Sequence, residues 1–450
     1  MGANIENCKN IVKQDNEVVG AACRVPYYPL VIKRGRGAII EDEDGNEYID
    51  MLSSAAATNI GHCHPKVVEA ITEQAKEIIH YTPVYTYHES LVELAKELTE
   101  ITPGNFKKKV IFGLTGSDSN DGMIKLARAY TGRSKIISFV GAYHGSTYGA
   151  LSISAISLNM RRKIGPLVSD VHYINYPHCY RCKFGKKEES CNLECIEELE
   201  ESFKNYIPEE EVAVVVMEAI QGDAGLIVPP RKYVEKLYSI CKDKGILFAV
   251  DEVQQGFGRT GKWFGIENFN VEPDIIVVGK SIASGMPMSA IIARAEIMES
   301  LGPPAHTFTT MGNPICCKAA LATIKVIKEE GLLEYSTKLG EYTKECFNKM
   351  KNKYPLIGDV RGIGLNIGVD LVKNINTKER DKEAAAKICY RCWEKGVLLT
   401  FFANNVLRVQ PPLVITREQM DKALDIIEAS IVEYLRGDIP DEVLEVAKGW

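Results

Sequence analysis

No apolar stretch in this chain of 450 residues approaches the roughly 20 that a membrane-spanning helix needs, so an integral helical membrane protein is not expected. The start, Met1-Gly2-Ala-Asn-Ile-Glu6, has no basic segment followed by an apolar one, and no secretory leader is expected. Glu6 also stands where a myristoylation site at Gly2 would carry Ser or Thr. The cytoplasm is the expected location. With a net charge of −6 there is no large excess of one sign, so neither nucleic acid nor an anionic membrane is expected as a partner. No internal repeat and no low-complexity linker interrupts the chain. What remains is an ordinary soluble composition, 45% hydrophobic and 25% charged, long enough for more than one domain.

Cysteine is the exception to this plainness, at thirteen residues. Most stand singly in apolar or helical contexts (Cys23, Cys241, Cys346, Cys389), where a small buried thiol suffices as explanation. Four are grouped, Cys179 and Cys182 as C-x2-C and then Cys191 and Cys195 as C-x3-C, around a polar stretch that reads as a surface excursion. That set can hold zinc tetrahedrally, and free thiols on a surface loop are the alternative. No catalytic metal is expected.

Periodicity predicts an α/β chain. Asp44-Gly45 between two apolar alternations signals a hairpin, and Pro65 opens an amphipathic helix expected to run to Ile79. From about residue 108 short continuous apolar runs alternate with helical patterns: Lys109–Phe112, Lys135–Phe139, Val212–Met217, Gly245–Val250 and Ile275–Val278. Such runs indicate a buried, largely parallel sheet. A long helical stretch is expected near 314–352, followed by strands around Val360–Leu371, Gly396–Thr400 and Val406–Leu413 and a terminal helix. The expected division is 1–58 and 336–450 as the two parts of a small domain, and 59–335 as a large domain.

In an open α/β sheet, ligands collect at the carboxyl ends of the strands, and chemistry-bearing residues stand there in this sequence. Thr115-Gly116-Ser117 opens a helix expected over Asp121–Tyr130, a start suited to cradling phosphate on backbone amides. Tyr143, after the next run, is placed to stack on a flat ring. Glu218 and Asp223 offer carboxylates after the run at 212–217. Asp251 and Gln254 follow the next one, and Lys280 lies 29 residues beyond Asp251. A lysine that forms an imine with pyridoxal phosphate, and an aspartate that keeps its ring nitrogen protonated, need such a pair of strand ends. Arg408, on a late strand, is a fixed cation suited to a carboxylate fork.

The segments Gly61-His-Cys-His64-Pro65, Gly116-Ser-Asp-Ser-Asn120, Tyr143-His-Gly145, Asp251-Glu-Val-Gln254, Gly279-Lys280-Ser281, Thr309-Thr-Met-Gly312-Asn313-Pro314 and Arg408-Val-Gln-Pro-Pro-Leu413 together resemble the class III aminotransferases, fold-type-I pyridoxal-phosphate enzymes, over nearly the whole chain. That resemblance implies Lys280 as the imine lysine and Asp251 as the partner of the ring nitrogen. Gln254 would touch the phenolic oxygen, Gly116 and Ser117 would hold the phosphate, Tyr143 would stack, and Glu218 would lie beside the cofactor. Thr309 would reach the phosphate bound by a neighbouring subunit, which implies a homodimer, or a dimer of dimers, with shared active sites. Arg408 would take the substrate α-carboxylate.

Two departures redirect the expected activity. Family members acting on 4-aminobutyrate carry an arginine after Tyr-His-Gly for the remote carboxylate, and a glutamate after Gln-Gly as a gate; this chain has Ser146 and Asp223. It resembles instead the isoleucine 2-epimerase and amino-acid racemase subgroup, in segments such as Gln221-Gly-Asp223 and the terminal Gly449-Trp450. The resemblance implies epimerisation or racemisation of an α-amino acid, expected to be aliphatic, at Cα through an external aldimine and a planar quinonoid. Lys280 would be one base and Asp223 the candidate for the second. Asp223 acting only as a partner of Arg408 is the other reading, and amino transfer to a keto acid is the alternative reaction. Tyr27, Tyr28, Ser54, Ala55 and Ala56 are expected among the pocket walls.

Overall fold

The computed structural model describes residues 4–449, so Gly2 and Trp450 lie outside the described residues. The chain divides into two units, one from Pro65 to Leu333 and one from its two ends, up to His64 and from Glu334.

The large unit is built on a seven-stranded sheet. Its strands in chain order are β1 (Lys108–Gly113), β2 (Lys135–Phe139), β3 (Val171–Ile174), β4 (Val212–Glu218), β5 (Leu247–Asp251), β6 (Ile275–Val278) and β7 (Ser289–Arg294). Their spatial order is β1-β7-β6-β5-β4-β2-β3, and β7 runs antiparallel to both neighbours while the β6-to-β3 side is parallel. Every residue of β4 is buried, as a strand covered on both faces requires. Val214, Val216, Ala249, Val277 and Ile291 pack with Met123, Leu126 and Ala127 of the helix Gly116–Thr131 in one apolar core.

That helix begins five residues earlier than the expected Asp121. Thr115 caps it, accepting from Asp118 N–H, while Asp118 accepts from the Thr115 N–H at 2.9 Å. An aspartate three residues after the cap closes this box as a glutamate would. The expected helix near 314–352 is two helices, Pro314–Glu329 and Leu332–Lys353, parted at Gly331 with φ +62°. Glycine takes that left-handed turn at little cost and stops the first helix.

In the other unit both chain ends share one sheet. Ile32–Arg36, Ile39–Asp42 and Glu47–Asp50 pair antiparallel, and Val397–Leu398 adds in parallel to Glu47–Asp50. A second sheet holds Ile357–Gly362, Ile367–Asn374, Val406–Val409 and Thr400–Phe402, with Glu379–Arg380 beside it. Ile40, Tyr48, Trp393 and Leu398 form the core that joins the two ends. Ser53, Ser54, Ala55 and Ala56 all have positive φ, between +49° and +63°. A left-handed run costs each L-residue about 1–2 kcal/mol, and the small side chains here keep that cost low.

Candidate active site

The strand ends of the large unit converge. Glu218 and Asp251 are register partners at the ends of β4 and β5, and Lys280 stands two residues past β6. Lys280, Asp251, Glu218, Asp223, Gln254, Tyr143, Gly116 and Ser117 all line one cavity, and His144, Gly145 and Val253 line it with them. Eight residues spread over 165 positions of sequence meet because parallel strands bring their carboxyl ends to one edge of the sheet.

Asp251 is held from behind. His144 Nδ1 lies 2.7 Å from one carboxylate oxygen, Asn120 Nδ2 donates to the same oxygen at 2.9 Å, and the Val253 N–H donates to the other at 2.9 Å. Asn120 also donates to the His144 carbonyl at 2.9 Å, which locks the pair. Burial disfavours charge on His144, yet the hydrogen bond and charge of Asp251, with Glu218 nearby, hold its pKa above the usual histidine value. The aspartate is thus fixed in the cavity wall by donors on both of its oxygens.

Glu218 joins two loops. Its carboxylate accepts the Tyr143 N–H at 3.0 Å and the Gly222 N–H at 2.7 Å, so it positions both the aromatic ring and the turn that carries Asp223. Burial pushes its pKa up to about 7, against the opposing charge of His144. Gln254 Nε2 donates to Asp223 Oδ1 at 3.3 Å. Ser146 is exposed; its N–H donates to Ser117 Oγ at 3.0 Å and its hydroxyl lies 3.2 Å from that of Tyr143. A hydroxyl there supplies no cation for a remote carboxylate.

The cavity fits pyridoxal phosphate by its shape and its donors. A Cβ on Gly116 would meet Val253 at 2.8 Å, one on Gly145 would meet Ser117 Oγ at 2.2 Å, and one on Gly222 would meet Gln254 Oε1 at 2.1 Å. Glycine at these three places lets backbone close in around the space. The helix start at Gly116 and Ser117 faces it, where amides and dipole favour an anion.

A family model described as class-III aminotransferase matches residues 21–431. The chain belongs to the class III aminotransferase family. An isoleucine 2-epimerase of Lentilactobacillus buchneri is 48% identical over 97% of this chain and 97% of that protein. A leucine/methionine racemase of Thermococcus litoralis is 48% identical over 98% and 99%. A solved Bacillus anthracis aminotransferase superposes with a TM-score of 0.88 at 29% identity, covering 96% of this chain and 99% of that one. The fold is the fold-type-I arrangement of pyridoxal-phosphate enzymes, and no helix among the described residues is long and apolar enough to cross a membrane.

Other residues named from the sequence stand elsewhere. Thr309 is exposed, with its carbonyl 3.0 Å from His80 Nε2, and is not among the residues lining the cavity. Arg408 belongs to the small unit, where it is buried in the second sheet. Tyr27 and Tyr28 are in that unit too, their hydroxyls donating to the carbonyls of Phe401, at 2.7 Å, and of Leu399. In the cysteine excursion Cys179 starts a single 3-10 turn and Cys195 lies in the first turn of the helix Glu194–Asn205. Burial, with Cys191, Cys179 and Cys182 around it, pushes the Cys195 thiol up to about 12. Among the described residues, the three metal-ligating groups gathered within 4.8 Å are Cys8, Asp42 and Asp44, not these four thiols.

Sequence reasoning gave no role to His144 and Asn120. Both stand in the motifs Tyr143-His-Gly and Gly-Ser-Asp-Ser-Asn120, and the signal is a polar residue past the carboxyl end of a strand, His144 in the loop after β2 and Asn120 in the helix after β1.

Proposed function

We propose that this chain epimerises or racemises an aliphatic α-amino acid at Cα with pyridoxal phosphate as cofactor. The observation that carries the reading is the presence of two acid–base groups, Lys280 and Asp223, on one cavity. The names of the two 48%-identical relatives support it.

The bound cofactor supplies an electron sink that acidifies the substrate Cα–H. Asp251, backed by His144 and Asn120, holds the proton on the ring nitrogen. Gln254 would contact the phenolic oxygen, Gly116 and Ser117 would hold the phosphate, and Tyr143, its backbone fixed by Glu218, would pack against the ring. Arg408 takes the α-carboxylate as a bidentate fork. The Lys280 amine moves the Cα proton on one face, and the Asp223 carboxyl delivers one to the other. A proton taken from one face and returned to the opposite one inverts the centre.

The enzyme works in the cytoplasm as a homodimer or dimer of dimers, with Thr309 serving the phosphate site of the neighbouring subunit. Support comes from the exposure of Ile79, Tyr81, Tyr85 and Tyr87, at 66%, 61%, 83% and 100%, on the segment tied to Thr309 through His80. Chiral chromatography tests the activity. Purified enzyme given one L-amino acid and no keto acid should form the D- or allo-isomer. Turnover that depends strictly on a keto acid would overturn the reading in favour of amino transfer.

A further inference from the structure

Arg408 is almost fully buried, at 2% exposure. Gln410 lies two positions along, on the same face of an extended chain. Arg408 Nε–H donates to Gln410 Oε1, and Gln410 Nε2–H donates to Asn366 Oδ1. Gln410 and Asn366 are both fully buried. The Gln410 backbone is fixed at both ends, its N–H donating to the Met51 carbonyl at 2.9 Å and its own carbonyl accepting from Ser53 Oγ. The Phe402 ring lies under the guanidinium, 4.3 Å from Cζ to the ring centre. Across the strands Arg408 is in register with Gly368 and Thr400.

The chemistry of the chain of amides makes this clamp directional. A guanidinium offers donors and no acceptor, so an oxygen must face its Nε–H. Asn366 Oδ1 fixes which end of the Gln410 amide is oxygen, because it accepts from the NH2 end. With Nε–H donating to Gln410, an end-on pair of bonds to a planar carboxylate is one made through Nη1 and Nη2. Gln410 and Phe402 orient the cation without adding a negative charge of their own.

We propose that Gln410, locked by Asn366, is a positioning residue that sets Arg408 for end-on, two-bond capture of the substrate α-carboxylate and thereby selects for substrates that carry one. This rests on the reading of Arg408 as the carboxylate site. The test uses the holoenzyme with Gln410→Met, which keeps the volume and removes the acceptor, and Gln410→Glu, which sets a carboxylate against the guanidinium. KM for L-leucine should rise about tenfold in the first, the worth of one charge-assisted hydrogen bond, and further in the second, with kcat within about threefold of the parent.

A readout independent of turnover is the Kd of 4-methylpentanoate by calorimetry, which should rise in parallel. The Kd of 3-methylbutylamine, the same skeleton without a carboxylate, and the cofactor absorbance should stay as in the parent. Where Gln410→Met fails to fold, Asn366→Leu releases the Gln410 amide and should raise the same Kd. The proposal is overturned if these variants leave the carboxylate Kd unchanged while Arg408→Met raises it. An unchanged Kd in Arg408→Met overturns the Arg408 assignment itself, and the clamp with it. Loss of inversion in favour of amino transfer, with the KM pattern intact, would overturn the proposed reaction and leave the clamp standing.

Discussion

Asp42 and Asp251 are both buried aspartates at the end of a strand, and both accept several hydrogen bonds. Asp42 Oδ1 accepts from the N–H groups of Asp44 and Asn46, each at 2.9 Å, and Oδ2 from the Asn46 side chain at 2.9 Å and the Tyr48 hydroxyl at 2.8 Å. Next to it Asp44 accepts the N–H groups of Asn7 and Cys8 at 3.0 and 2.9 Å, tying the helix Glu6–Val18 to the hairpin. The donors around these carboxylates are backbone N–H groups together with the side chains of Asn46 and Tyr48. Asp251 is held on one oxygen by His144 and Asn120 but borders a cavity that Lys280 also lines. The trio of metal-type ligands gathered among the described residues, Cys8 with Asp42 and Asp44, is therefore a fastened corner. A buried charge marks a site when it fronts open space, and a structural joint when its donors close around it.

Removing Lys280 breaks the comparison most severely. Lys280→Ala should lower turnover by about 10⁴-fold or more, the upper range of a lost acid–base group, and shift the visible absorbance of the bound cofactor. An unshifted band would overturn the assignment. Asp251→Asn should lower kcat by about 10²–10³-fold with little change in denaturant midpoint. Asp42→Ala should do the reverse, costing about 3 kcal/mol in urea unfolding for the donors left unpaired and leaving kcat as it was. Equal losses of stability in the two variants would erase the distinction.

Asp223→Asn probes the cavity more finely. Inversion should fall about 10²-fold, while exchange of the Cα hydrogen of the L-isomer with deuterated water, measured by NMR, persists through Lys280. Parallel loss of both would leave Asp223 without the role of second base.

The smallest effect is a pH slope. In the folded chain Glu218 titrates near 7, raised by burial from 4.5. Between those values the folded state holds a proton that the unfolded chain has released, so stability falls as pH rises through the window. Glu252, pushed by burial up to about 8, and His144, held above its ordinary value, act with the same sign. The thermal midpoint of cofactor-free protein should fall from pH 5 to 8, and Glu218→Gln should flatten the pH 5–7 part. A parent midpoint that falls from pH 5 to 7 no faster than that of the variant would show that Glu218 stays ionised.

The cavity residues were legible because each stands at the end of an apolar run, and strand ends are where an α/β sheet presents chemistry. The Asp251 and Lys280 pair needed no coordinates for that reason. His144 and Asn120 were not legible in role, since a polar residue in a loop or an early helical turn has many uses until its partner is known. The partners of Arg408 were hidden differently: Gln410 is two residues away, but Asn366 comes from the turn that leads into the strand Ile367–Asn374. The break at Gly331 was missed because apolar spacing continues on both sides of it.

By itself the sequence determined the family, the parallel sheet and the residues able to hold a cofactor, because local pattern and residue type carry that information. Tertiary structure decided which carboxylates are joints and which face the cavity, and which side chains stand behind Asp251 and Arg408. Those properties depend on what lies opposite each group across space, and spacing along a chain does not encode it.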